Sequence, residues 1–67
     1  MDANQLKRTL NELEMTQGQL ASAMTISPNT VSRWITGKHP IPPLAVSWLN
    51  LAMKLKRVKT ELEFISP

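Results

Sequence analysis

The stretch TQGQLASAMTISPNTVSRWITGKHP, residues 16–40, is rich in small polar side chains, has no acid, and carries a large indole, Trp34, in its midst. Its punctuation divides it into two short helices. Thr16 with Gln19 three residues on forms a capping box. It opens a helix QGQLASAM whose inner face is Leu20, Ala21 and Met24. Gly18 weakens that helix by about 1 kcal/mol relative to Ala, and leaves room for something to approach the backbone. The second helix has the clearest start in the chain. Ser27 is an N-cap, and Pro28 sits at the first helical position, where its missing N–H costs nothing. Gly37 supplies a left-handed stop. Between them Val31, Trp34 and Ile35 share one face, and Asn29, Ser32, Arg33 and Thr36 share the other. Helical spacing assigns Trp34 to the core rather than to stacking on a base. The small polar residues are held outward on a rigid element, with a cation among them.

Working outward, Asp2 with Gln5 is a second capping box, opening a helix with Leu6, Leu10 and Leu13 on one face and Lys7, Arg8, Glu12 and Glu14 on the wet side. On the other flank KHPIPP is a rigid connector, and Pro42 and Pro43 open a last helical region. There Leu44, Trp48, Leu51, Leu55, Val58, Leu62 and Ile65 recur at spacings of four and three, a heptad-like seam that needs a partner surface. Part of the seam is expected to cover the domain's own core. One long helix, and two helices with a bend near Lys54–Lys56, both satisfy the pattern. No β-branched alternation marks a strand. The fold class expected is all-α, a compact four- to five-helix bundle. Residues 1–53 form its main domain, and residues 54–67 are a helical extension, either part of that domain or a dimerisation element.

Composition bounds the function. The chain has 67 residues, so one domain at most, stable by a thin margin. With no Cys and one His, there is no disulfide staple and no metal site to expect, and oligomerisation is the remaining support. No run reaches the roughly 18 apolar residues of a membrane span, and MDANQLKR lacks the apolar core of a signal peptide, so a soluble intracellular protein without a membrane partner is expected. No HExxH, GxSxG or phosphate loop is present, so no enzyme and no cofactor are expected. The net charge is +3, but no Asp or Glu falls between Met15 and Thr60, whereas Arg33, Lys38, Lys54, Lys56, Arg57 and Lys59 do. An acid-free basic middle suits a polyanion, because carboxylates facing phosphates would repel them.

Two short helices across a tight turn, the second polar outward, form a helix-turn-helix pattern. Residues 16–38 resemble the Cro/phage-repressor (XRE-type) helix-turn-helix family, whose fold is lambda-repressor-like. The resemblance is carried by Gln17 opening the first helix, Ala21 where the helices cross, Val31 in the second helix, Trp34 at the end of its inner face, and Gly37-Lys38 at the stop. With the flanking helices it extends over about residues 4–53. Thr25 departs from the pattern, since the family usually has Gly in the turn. Either Thr25 bears a left-handed strain of roughly 1–2 kcal/mol or the turn is built differently.

The resemblance implies a regulator of transcription from a bacterium or phage, located with the nucleoid in the cytoplasm, that binds double-stranded DNA. Carried over by position, base contacts fall to Pro28, Asn29, Ser32 and Arg33. Asn29 can bond adenine N6 and N7, and Arg33 can bond guanine O6 and N7; Ser32 discriminates weakly, and Pro28 can only touch a thymine methyl. Arg33 can instead serve a phosphate, and Asn29 can instead cap its helix. Thr16 and Gln17, at a helix N-terminus, are candidates for phosphate, with Thr30, Thr36, Lys38 and His39. The basic run KLKRVK (54–59) reads as a solvated face or as a contact to flanking DNA. Two copies would reach successive major grooves about 34 Å apart on a palindrome, with Trp48, Leu51, Leu55, Val58, Leu62 and Ile65 as the homodimer interface. The alternative is a protein-interaction module, antitoxin-like, whose C-terminal helix holds a different protein partner.

Overall fold

The computed structural model describes the backbone of residues 1–65 and the side chains of residues 1–62. Four helices follow in order: α1 (Ala3–Leu13), α2 (Gln17–Met24), α3 (Pro28–Ile35) and α4 (Pro43–Ile65). The count is the lower of the two expected, because residues 43–65 form one continuous helix. No strand occurs among the described residues.

Local chemistry starts the first three helices. Asp2 and Gln5 form a reciprocal capping box, as do Thr16 and Gln19, so each pair satisfies two otherwise orphan N–H groups. At α3, Ser27 Oγ accepts from Asn29 N at 3.2 Å, and Pro28 holds the first position. In α4 the Pro42 carbonyl accepts from Ala45 and Val46 ahead of Pro43, which begins the helix.

α1, α2 and α3 also end alike. In each, a residue with positive φ lets its own N–H and the next one turn back to carbonyls of the last turn, the Schellman arrangement. Glu14 (φ 56°) and Met15 do so for α1, Thr25 (φ 59°) and Ile26 for α2, and Gly37 (φ 77°) and Lys38 for α3. Thr25 therefore bears the left-handed strain. Glu14 shares that conformation, which its sequence context did not announce. What holds both non-glycine residues there is the next side chain. Met15 and Ile26 are half-buried against the core, so relaxing the turn would pull them out.

Relief of this strain is measurable. Thr25 is exposed, so Thr25→Gly loses no packing. It removes roughly 1–2 kcal/mol of left-handed strain and adds about 0.4–1 kcal/mol of unfolded-state entropy. Thermal unfolding should show Tm raised by about 5 °C for a domain of this size. A lowered Tm would mean that the turn holds less strain than the added unfolded-state entropy costs.

The core is Leu6, Leu10, Leu20, Ala21, Val31, Trp34, Ala45 and Leu49, all buried. Trp34, 6% exposed, is a core residue. Ala21, 1% exposed, lets α2 and α3 cross closely, as the small residue there should. α4 corrects one expectation. The face it turns to the domain is Ala45 and Leu49, with Ala52 and Met53 half-buried, and not the heptad-like seam. Only Trp48 of the seam packs partly against the core. Leu44, Leu51, Leu55, Val58 and Leu62 stay 51–76% exposed. The Ile65 side chain lies outside the described residues. Lys56, within the basic run, donates from Nζ to the carbonyl of Glu12 and so ties α4 to the C-terminal end of α1. A cation there also complements the helix dipole.

Candidate nucleic-acid interface

α3 is fixed by its inner face. Val31 and Trp34 are buried, and Ile35 is half-buried. That leaves Pro28, Asn29, Ser32 and Arg33 exposed together on the outer side, with Thr30 half-buried beside them. The N-cap role at this end belongs to Ser27. Among the described residues the Asn29 side-chain amide has no hydrogen bond, and the Arg33 guanidinium has neither a hydrogen bond nor an ion pair. Both planar groups are thus presented outward with their donors unspent.

The flanks of α3 differ. Thr16 Oγ1 accepts from Gln19 N at 3.1 Å, which leaves its own hydrogen to give. Gln17 and Gly18 open α2, where the first N–H groups of a helix lack intrahelical acceptors and favour an anion. A Cβ added at Gly18 would meet only Thr16 Oγ1, at 3.9 Å. The domain's own packing therefore does not require a glycine there. On the other side Thr36 donates to the Ser32 carbonyl at 3.0 Å, with Arg33 O at 3.3 Å, so its hydrogen is committed inside the helix. Lys38 follows the Gly37 stop and is exposed. His39 lines a separate hollow with Met1, Asp2, Ala3 and Trp34, where the Asp2 charge works against a phosphate.

One cation was missed in the sequence. Lys7 and Asn11 of α1 line the same surface hollow as Thr16 and Gln17. Lys7 reads as one more wet residue of α1, and only the packing of α1 beside the start of α2 brings it to this place. No acidic residue lines that hollow, and none lies on α2 or α3.

A helix-turn-helix family model matches residues 6–48, which include most of α1, all of α2 and α3, and the start of α4. The chain belongs to the XRE/Cro-type helix-turn-helix family. It is a DNA-binding protein of transcription regulation. Comparison with curated proteins and with solved structures returns no match. As a member of the XRE/Cro-type family the chain departs at Thr25, and the left-handed backbone there shows that the turn keeps its shape without the glycine. No helix among the described residues is long and apolar enough to cross a membrane.

Proposed function

We propose that the chain is a sequence-specific regulator that binds a palindromic operator as a homodimer and lays α3 in the major groove. The observation that carries this reading is the outer face of α3. Asn29, Ser32 and Arg33 stand exposed on a helix whose opposite side is locked into the core, on a surface without acids. A rigid helix with unspent planar donors is what base-edge recognition requires.

In this reading Asn29 takes adenine and Arg33 guanine, with Ser32 as a weak discriminator and Pro28 against a thymine methyl. The start of α2, with Thr16, Gln17 and Lys7, grips the phosphates on one side of the groove, and Lys38 grips them on the other. Thr30 lies at the edge of this surface. Thr36 joins only by turning its hydroxyl away from Ser32, and His39 is next in the loop after Lys38. The exposed seam of α4, with Leu51, Leu55, Val58 and Leu62, serves dimerisation. The exposed seam of α4 also favours a second reading, in which it holds a different protein.

Salt dependence of binding tests the interface. Two protomers bring Lys7 and Lys38 each, four cations in all, so log K against log salt should fall with a slope of roughly −3.6. Between about 50 and 200 mM salt that amounts to roughly a hundredfold loss in affinity for duplex DNA. Fluorescence anisotropy of a labelled duplex reads it. A flat salt response would overturn the assigned phosphate grip.

A further inference from the structure

The seam on α4 has a second property besides exposure. With 100° per residue, its centre lies roughly 130° around the helix from the face that meets the core. The domain therefore does not obstruct it. The charges beside the seam are unequal. Lys54 and Glu61 lie on one flank of the seam, where Glu61 also borders a hollow with Glu12 of α1, Lys56 and Arg57, and Lys59 lies on the other flank. Among the described residues neither Lys54 nor Glu61 has an ionic partner.

Those charges distinguish the two ways a second copy could lie on the seam. In a parallel pair, Lys54 of one protomer falls beside residue 59 of the other, so Lys54 and Glu61 of opposite protomers do not meet. In an antiparallel pair centred between residues 55 and 58, Leu55 meets Val58 of the partner subunit, and Leu51 meets Leu62 of the partner subunit. Each Lys54 then falls beside Glu61 of the partner subunit, twice by symmetry. Opposite charges at flanking positions set orientation in paired helices.

We infer that the seam is covered by a second copy of this chain, with the two α4 helices antiparallel and Lys54 beside Glu61 of the partner subunit. The inference rests on the homodimer of the proposed function and assigns its orientation. The pairing covers Leu51, Leu55, Val58 and Leu62, the run of exposed apolar residues that the domain itself leaves in water. Leu44, the second residue of α4, lies outside it.

Sedimentation equilibrium of the full chain without DNA tests this. Wild type should be a dimer. Glu61→Lys turns both ion pairs into repulsions and should weaken dimerisation by about tenfold, as should Lys54→Glu. The double variant Lys54→Glu/Glu61→Lys should restore it. Both positions are exposed, and circular dichroism checks that each variant keeps its helix content. A Leu62→Cys variant adds a geometric reading. The two 62 positions of an antiparallel pair lie about 16 Å apart along the helices, beyond the roughly 7 Å that a disulfide spans. Oxidation should therefore not link Leu62→Cys to itself. A monomer at every concentration, no response to the charge swaps, no restoration by the double variant, or ready self-linkage at position 62 would each overturn the inference. DNA is absent from these measurements, so a failure to read sequence would leave their result intact. Conversely, a monomer that selects a single half-site would remove this interface and keep the reading face of α3.

Discussion

Leu49→Ala should remove about 2–5 kcal/mol, a large part of the protein's stability. Leu49 is fully buried and brings α4 onto the core. Truncating a buried leucine costs about 2–5 kcal/mol, because transfer and cavity terms add. At about 0.05–0.15 kcal/mol per residue, a domain of this length has only roughly 3–10 kcal/mol to lose. Leu55→Ala is the matched control, with the same chemical change on the same helix at a side chain that is 61% exposed. Measured dilute enough to keep the chain monomeric, it should change stability by no more than about 0.5 kcal/mol. Urea unfolding of the two variants gives the comparison. Equal losses would mean that the seam, and not Ala45 with Leu49, is the inner face of α4.

The second large effect is expected at Arg33. On a duplex carrying the selected site, Arg33→Ala should cost about 1–3 kcal/mol per half-site and relax preference at one base pair. On a scrambled duplex it should change little. Lys38→Ala should weaken both duplexes alike and reduce the salt slope by about 1 per protomer. Arg33→Lys separates charge from shape. Lysine keeps the charge but lacks the planar fork, so it should not rescue the lost discrimination. An Arg33→Lys variant that binds and discriminates like wild type would place Arg33 on a phosphate.

How much of this was legible depended on how local the physics was. The three N-terminal helix starts were readable because Asp2–Gln5, Thr16–Gln19 and Ser27–Pro28 act within one turn of chain. Val31 and Trp34 were readable as core because α3 has one apolar stripe and little else to bury. α4 was misread because its large apolar residues form a more conspicuous stripe than the face that packs. The domain fully buries little more than one turn of that helix, and it takes Ala45 there, a residue with no hydrophobic signature of its own. The left-handed Glu14 carries no marker in sequence, since its conformation is held by burial of Met15 rather than by its own preference. Lys7 and Lys56 acquire their places through tertiary contact alone, one beside Thr16 and Gln17, the other on the Glu12 carbonyl. The site residues on α3 were visible as a polar face. That Ser27 caps the helix, leaving the Asn29 amide unspent, needed the structure.

The most direct test of the central claim, that the outer face of α3 reads base sequence, is selection of the purified chain against a random duplex DNA pool near physiological salt, where non-specific binding is weak, with Kd of roughly 10⁻⁴ to 10⁻⁶ M. A palindrome whose half-sites lie about one helical turn apart should be enriched, each half-site short and containing an adenine and a guanine for Asn29 and Arg33. A pool that emerges from repeated rounds without any enriched sequence would contradict it.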